Sequence, residues 1–586
     1  MSRFFSGLFK PDVTMDKPTV RALIVSGVIT VIVGMIVNYL AIPAWNLRSA
    51  GLWWFILWEG LVFLASLLVQ GYLGDADMEA FLTCGKWWLI YLVVFAVIGI
   101  GSSPLFTARQ LSGIADVTVD SADLTGDSSD FADMTAKENQ STLPLVDMDT
   151  AIMLGDKKVA GLNNASWYDV DNEYNLIKYQ GKYYRLSTID YGDGDVFKWS
   201  KAKGFGVPGY VLVPVTPENG AVTQESVLVT LDKPIKYTPG AFFGEDLSRH
   251  LRNQYPSYIF DKSFMEIDES GVPYWVTGVQ TPTAGLFGGK VVNSFILTDA
   301  STGESKEYSI DNAPDWIDHI YSLDYLMDVA YWHYAYSGGF WNSIIGQVNV
   351  RKTTYCYKNT DTSKKEGAEV YALFYGYSSV INRDGEVCFY TGLTPANRSE
   401  SNLGWLLIDT STGKMKQYDL VCVEEGSAQN AVEQLVQEKG YQATFPIPVN
   451  IGGTPSYVMC LKGKAGLVQS YAICNTENYS IAVEAETLPL AIQKYQAKLN
   501  GTEMPSGTTE TTAVSPIGDI QSGSGKISEI YTAELNGTTQ FYYVIDGELY
   551  RSSITVDERQ ILLNKGESIS FEYYVSGDIR VITKIV

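Results

Sequence analysis

The chain has 586 residues and a formal net charge of −23, which excludes a single hydrophobic core and, through its acidic surface, excludes nucleic acid as a partner. Hydrophobic residues make up 46% and charged residues 19%, a composition ordinary for a globular body joined to a small membrane part. The 38 tyrosines are first of all strand residues.

Residues 1–21 read as a cytoplasmic tail carrying Arg3, Lys10, Lys17 and Arg21. Residues 22–105 hold three apolar stretches: Ala22–Leu47 without charge, Gly51–Leu73 with Glu59 alone, and Trp87–Leu105 without charge. About 20 apolar residues suffice to cross a bilayer as a helix, so this block predicts a three-helix transmembrane anchor. A cleavable signal peptide is shorter and is not followed by two further spans. Trp45, Trp53, Trp54, Trp87 and Trp88 fall near the expected ends, where amphipathic rings prefer to sit. The Lys/Arg bias predicts a multi-pass plasma-membrane protein with its N-terminus cytoplasmic and its large C-terminal region outside. Glu59 lies ~12 Å of helix rise into the second stretch. A carboxylate at that depth is an intramembrane candidate for function, with hydrogen bonding to a neighbouring helix as the packing alternative.

Residues 106–143 are acidic and rich in Ser, Thr and Asp, which predicts a flexible tether lifting the rest off the bilayer. An α+β body follows, read as four modules at 144–240, 241–345, 346–425 and 426–500. The first begins with a helix capped by Asp149 and continues through strands that include Val196–Ser200. Helices are expected at 245–253, 427–440 and 488–499. Asp315–Trp341 has apolar residues at helical spacing and predicts one long helix or a helix pair buried between flanking sheets. Residues 501–525 read as a linker. Residues 526–586 read as a small β-barrel of SH3 or OB type, with Asn536-Gly537 and Asp546-Gly547 as hairpin turns.

The body repeats itself. One copy reads IDESGVPYWVTGV, a glycine-rich gap, then SFILTDASTGESKEYSI; another reads INRDGEVCFYTGL, a gap, then GWLLIDTSTGKMKQYDL. A third, from Gly452 to Val483, and a first, from Tyr183 to Gly220, are more degenerate. In Asp-x-Ser-Thr-Gly the carboxylate can accept turn amides and the glycine can take positive φ. A helix, a hairpin and a strand closing on Asp-x-x-Thr-Gly resemble the PepSY modules of bacterial envelope proteins. The matching residues are Asp299, Thr302, Gly303 and Glu304 in one copy and Asp409, Thr412, Gly413 and Lys414 in the other. The resemblance covers those two turns and their strands, and it implies small modules used for binding or regulation rather than catalysis.

The catalytic search returns little. His250, His319 and His333 are far apart and form no HExxH or HxH; Asp318-His319 reads as a packed or capping pair rather than part of a triad. Asp190, Asp193 and Asp195, with Asp169 or Asp171, are weak calcium candidates without EF-hand spacing. Cys84, Cys356, Cys388, Cys422, Cys460 and Cys474 form no CxxC pair and read as small buried hydrophobes, although the expected compartment permits bridges. No cofactor is expected. The reading favoured is a non-enzymatic, membrane-anchored envelope protein whose outer region binds a membrane-protein or cell-wall partner. The alternatives are an accessory or sensory subunit of a transport complex, with Glu59 coupling to it, and an envelope peptide or glycan hydrolase.

Overall fold

The computed structural model describes residues 17–73, 78–121, 130–162, 164–171, 174–354, 376–396, 401–501, 521–535, 538–553, 556, 558–576 and 579–585. Cys356, the Asn536-Gly537 turn, the first part of the tail and most of the expected linker lie outside them. The chain divides into two compact units, Met1–Gln496 and Ala497–Val586.

Three helices, Lys17–Ala41, Ala50–Tyr72 and Met78–Gly101, open the first unit and are long and apolar enough to cross a membrane. The third starts at Met78 rather than Trp87. It stops at Gly101 because Pro104 disfavours helix in the residue before it and opens a separate short helix, Pro104–Ser112. The spans interlock through a few polar atoms. Gln70 Nε2 donates to Ser26 Oγ at 2.7 Å and to the Ala22 carbonyl at 3.1 Å. Trp88 Nε1 donates to the Leu57 carbonyl at 3.2 Å; Gly60 admits that indole, since a Cβ there would lie 2.4 Å from it. Small residues that let helices approach closely are the usual glue of membrane helices.

Four main sheets, antiparallel except at one edge of the third, make the body over the described residues. The first orders Tyr168–Val170, Lys182–Tyr191, Val207–Pro214 and Val227–Ile235, with Asn175–Tyr179 also on the second of these strands. The next is a meander of Ile259–Ile267, Pro273–Ala284, Gly288–Asp299 and Ser305–Ser309. The third is built on Val387–Pro395, Gly404–Asp409 and Met415–Asp419, and the last on Ile447–Ile451, Thr454–Lys462, Val468–Asn475 and Ala482–Ala485. One hydrogen bond recurs in all four. Val215 N, Ala300 N, Thr410 N and Thr476 N donate to the carbonyls of Tyr183, Pro273, Val387 and Pro455 at 3.4, 3.1, 3.3 and 3.4 Å. The residues before the donors, Pro214, Asp299, Asp409 and Asn475, face Tyr184, Tyr274, Cys388 and Ser456 across the ladder.

At two of these sites the backbone chemistry of the turn is the same, the serine hydroxyls differing: Ser411 Oγ donates to Asp409 Oδ1 and Ser301 Oγ to the Lys233 carbonyl. Asp299 Oδ1 accepts from Ser301 N and Thr302 N at 2.8 Å, and Asp409 Oδ1 accepts from Ser411 N and Thr412 N at 2.8 Å. Gly303 and Gly413 take φ of +76° and +70°, a region costly for any residue with a Cβ. Asn475 Oδ1 does the same work in the last sheet, accepting from Glu477 N at 2.9 Å and Asn478 N at 2.8 Å. Pro214 supplies no acceptor, which is why the first copy is degenerate.

Four expectations need correction. The stretch 106–143 is not a free tether over its described residues. Val117–Ser121 is an edge strand paired in parallel with Met415–Asp419, and Phe131, Met134 and Leu143 are buried. Its acidity is matched locally: Lys416 Nζ reaches Asp120 at 3.2 Å and Asp130 at 2.9 Å. Val196–Ala202 is a helix rather than a strand, because Asp195 Oδ1 accepts from Phe197 N at 2.7 Å and caps it. The helix at Met148–Val159 is capped by Asp147, not Asp149. The aromatic segment is helical over Leu323–Tyr336, capped by Ser322, and again from 340, where a short helical stretch runs on through Asn342–Gly346.

That central helix is buried between two sheets. Leu326, Met327, Val329 and Ala330 meet Phe264, Val276 and Phe295 from one, and Phe389, Leu406 and Ile408 from the other. The second unit is a closed five-stranded barrel. Its strands, in chain order Gln521–Leu535, Thr538–Ile545, Glu548–Ser553, Ser568–Ser576 and Ile579–Ile585, lie first, second, third, fifth, fourth around the barrel, the third and fifth parallel. Phe541, Tyr543, Ile545, Phe571 and Ile582 fill it. Asp546 and Gly547 take φ of +52° and +84°, the geometry of a two-residue hairpin turn.

Candidate functional site

The most developed arrangement in the first unit is the seam between the spans and the body. From the end of the first span, Tyr39 accepts from Arg249 at its hydroxyl (3.2 Å) and its carbonyl (3.1 Å), and the guanidinium sits 4.0 Å from the ring centroid. Arg252 donates to the Ile42 carbonyl at 3.3 Å and to the Tyr258 carbonyl at 2.5 Å; burial lowers its pKa to about 10. In the loop after the first span, Trp45 N donates to the Pro256 carbonyl at 2.8 Å, Asn46 Nδ2 to Ser257 at 3.0 Å and Arg48 to Pro282 at 3.5 Å.

At the end of the third span, Ser102 Oγ accepts from Leu286 N at 2.9 Å and Phe287 N at 3.3 Å. These two residues are the tip of the Pro273–Asp299 hairpin, and the Phe287 ring lies 6.0 Å from Trp53 and 5.9 Å from Phe95. The glycine-rich gap of that repeat copy is explained here. A Cβ at Gly285 would lie 2.7 Å from Ser102 Cα, and one at Gly288 would lie 2.7 Å from the Ser102 carbonyl oxygen. Behind the tip, Ala108 and Leu111 of the short helix pack with Ala284, Ala335 and Tyr336, and His333 Nδ1 lies 3.0 Å from the Ser112 carbonyl oxygen. None of Ser102, Arg249, Arg252 or Phe287 is singled out by the sequence, and Gly285 and Gly288 are conspicuous there only as a glycine run that makes no phosphate loop.

Glu59 faces the first span. A Cβ on Gly34 would lie 3.0 Å from Glu59 Oε2, so Gly34 is the notch that admits the carboxyl. Both carboxyl oxygens are buried and have no hydrogen-bond partner among the described residues.

Two further acid clusters lie in the body and brace it. His319 Nδ1 lies 2.9 Å from Glu266 Oε1, and both side chains are buried. The ring sits between Phe264 and Phe389 with no partner for Nε2. A second ring proton would be buried unsatisfied, and burial lowers the His319 pKa to about 4 while it lifts Glu266 well above the carboxylate range. Burial therefore favours the uncharged form of both groups. Next to it, burial above all raises Asp318 to about 7. Asp318 Oδ2 accepts from Lys178 N at 2.5 Å and its carbonyl accepts from Thr410 Oγ1 at 2.6 Å, so Asp318-His319 joins three sheets. Glu425 accepts from Tyr390 Oη at 2.5 Å and Thr354 Oγ1 at 3.0 Å, while Trp405 Nε1 donates to Tyr457 Oη at 2.9 Å. Gly392 leaves the space this cluster fills: a Cβ there would lie 2.3 Å from Glu425 Oε1. Glu425, Tyr390 and Tyr457 are fully buried, so substrate has no access to them.

The calcium candidates are engaged elsewhere. Asp190 accepts from Thr238 Oγ1, from Tyr191 N at 2.7 Å and from Gly240 N at 2.7 Å, and burial raises its pKa to about 6. Asp169 pairs with Asp190 across the ladder, Asp195 is a helix cap, and the Asp193 side chain lies outside the described residues. Among the described residues no group of three His, Cys, Asp or Glu is placed to hold a metal ion. Cys388, Cys422, Cys460 and Cys474 are buried and Cys84 is half-buried, and none of these five is in a disulfide. His250 Nε2 sits 2.8 Å from the Gly303 carbonyl oxygen, with its ring against Tyr237.

Comparison with protein-family models and with curated proteins gave no match.

Proposed function

We propose that the chain is a non-enzymatic membrane-anchored platform whose four-sheet body and barrel bind a protein or wall polymer outside the cytoplasm. The observation that carries this reading is the seam. Arg249, Arg252, Ser102 and Phe287 fix the body on the ends of the first and third spans, so it presents its surfaces at a set height and angle. A tether would leave them free. Glu266, His319 and Glu425 fit the same reading, because they are spent on joining sheets. The orientation rests on the Lys/Arg bias of the tail and the Lys86 loop. The recurring turns at Asp299 and Asp409 support PepSY-like binding modules. The first-second-third-fifth-fourth strand order favours the OB-type barrel over the SH3 type, and OB barrels hold extended oligomeric ligands, although fold alone names none.

Cross-linking the full chain in native membranes, followed by gentle extraction and mass spectrometry, tests it. A stoichiometric protein partner, or retention on isolated wall polymer, supports the platform. Peptide or glycan hydrolysis by the purified full chain, abolished by one Asp, Glu or His substitution, overturns it.

Glu59 favours a second reading, an accessory subunit of a transport complex. Its carboxyl is buried in the Gly34 notch with no hydrogen-bond partner among the described residues, a costly placement within a span that marks a functional residue by default. Glu59→Gln then impairs the partner's transport at unchanged protein level; unchanged transport removes this reading.

A further inference from the structure

Past the central helix, the segment Phe340–Val348 is an apolar knob. Trp341, Ile344, Ile345 and Val348 are 64%, 54%, 76% and 67% exposed, and no charged residue occurs from Ser337 to Val350. Exposed apolar surface gathered in one place marks an interaction site. The backbone of this knob is closed on itself. Asn342 Nδ2 donates to the Val348 carbonyl at 3.0 Å, Val348 N donates to Asn342 Oδ1 at 3.1 Å, and Gln347 N donates to the Asn342 carbonyl at 2.6 Å. Gly338 and Gly346 leave room for that amide: a Cβ at either would come within 2.3 and 2.8 Å of it. Asn342 thereby satisfies the Val348 amide and carbonyl and the Gln347 amide, which lowers the cost of bringing Trp341, Ile344 and Ile345 into hydrocarbon, while the exposed Gln347 and Asn349 side chains suit the polar headgroup level.

The position of the knob says what covers it. Phe340 packs against the cluster of Ala108, Leu111, Ala284, Ala335 and Tyr336, which includes the short helix and hairpin end that adjoin Ser102 at the close of the third span. Leu105 and Phe106 on that helix are exposed as well. The knob therefore adjoins the elements that follow the third span.

We propose that Phe340–Val348 is a membrane-interface anchor that inserts Trp341, Ile344 and Ile345 into the lipid leaflet next to the third span. The proposal rests on the membrane reading of the three helices. It adds a lipid contact made by the body itself, which helps hold the body down on the bilayer surface. Tryptophan at the rim of such a contact is where its amphipathic ring prefers to sit.

The test uses the full chain in phosphatidylcholine/phosphatidylglycerol vesicles, in a Cys84→Ser, Cys356→Ser background. One nitroxide is attached at Ile345→Cys, at Val97→Cys in the third span or at Phe197→Cys on the first module, and collision rates with oxygen and with a water-soluble nickel chelate are compared. Val97 and Phe197 are 62% and 77% exposed. The expected result is that position 345 resembles 97, with oxygen dominating, and differs from 197, where nickel dominates. A nickel-dominated signal at 345 with an oxygen-dominated one at 97 overturns the anchor and leaves the spans standing. Nickel dominance at both overturns the membrane reading as well. Low accessibility to both reagents at 345 means protein covers the knob, which also overturns the proposal.

Discussion

Gly285→Ala tests the seam at its tightest point. Gly285 has φ of +66°, where a Cβ costs about 1–2 kcal/mol. The new Cβ would also lie 2.7 Å from Ser102 Cα, backbone that has to shift to admit it, and such overpacking costs about 1–3 kcal/mol. Reduced freedom of the unfolded chain returns about 0.4–1 kcal/mol. The balance centres near 3 kcal/mol, about a hundredfold in the equilibrium for lifting the tip off Ser102. The amides of Leu286 and Phe287, which donate to Ser102 Oγ, report that opening by hydrogen exchange in lipid nanodiscs. Their exchange should accelerate by about two decades. Gly271→Ala serves as the control. It lies at the opposite end of the same strand with φ of +85°, and its nearest neighbours are the flexible hydroxyl ends of Tyr179 and Tyr210, so it bears a φ cost without touching the spans. Exchange at 286 and 287 that is unaltered by Gly285→Ala, or equally fast in both variants, would refute the seam.

Three other outcomes follow from the body. Glu266→Gln keeps a neutral partner for His319 and should change stability to urea by less than about 1 kcal/mol, whereas a buried ion pair would lose about 3–5 kcal/mol when one charge is removed. Asp318 has a folded pKa near 7, above its unfolded value, so protons bind the folded state more tightly. Its contribution is greatest at low pH and declines from about pH 4 to about 7. Asp318→Asn should therefore gain on the parent protein as pH rises through that window, by at most about 4 kcal/mol and less for the solvent that reaches it; a flat difference would count against the burial argument. His319 is not a counterweight in this comparison, since both proteins carry it. Asp299→Ala and Asp409→Ala each free two turn amides and should each cost about 1–2 kcal/mol. Markedly unequal losses would show that the two turns are not equivalent.

Much of this was legible because its signal is local. The spans follow from uncharged length, and the turns at Asp299 and Asp409 follow from five adjacent residues. The burial of Leu323–Tyr336 follows from its apolar spacing. What was missed depends on partners distant in sequence. Val117–Ser121 looks like solvated acid until Met415–Asp419 lies beside it and Lys416 meets Asp120 and Asp130. Val196–Ser200 has strand composition, and the cap from Asp195 outweighs it. Gly285, Gly288 and Phe287 looked like an irregular insert because the atoms they fit belong to Ser102, Trp53 and Phe95. Glu59 was identified by its charge, while its notch at Gly34 needed two helices in place.

A disulfide across the seam tests the central claim most directly. An ideal Cβ at Gly285 lies 3.0 Å from Ser102 Cβ, close to the roughly 3.5–4.5 Å of a disulfide and within a small backbone shift of it. With Cys84 and Cys356 replaced, Ser102→Cys with Gly285→Cys should oxidise to near completion in native membranes under mild oxidant. Ser102→Cys alone should stay reduced. If the pair also stays reduced while both thiols react with maleimide, the body is not seated on the spans, and a platform of fixed geometry is contradicted.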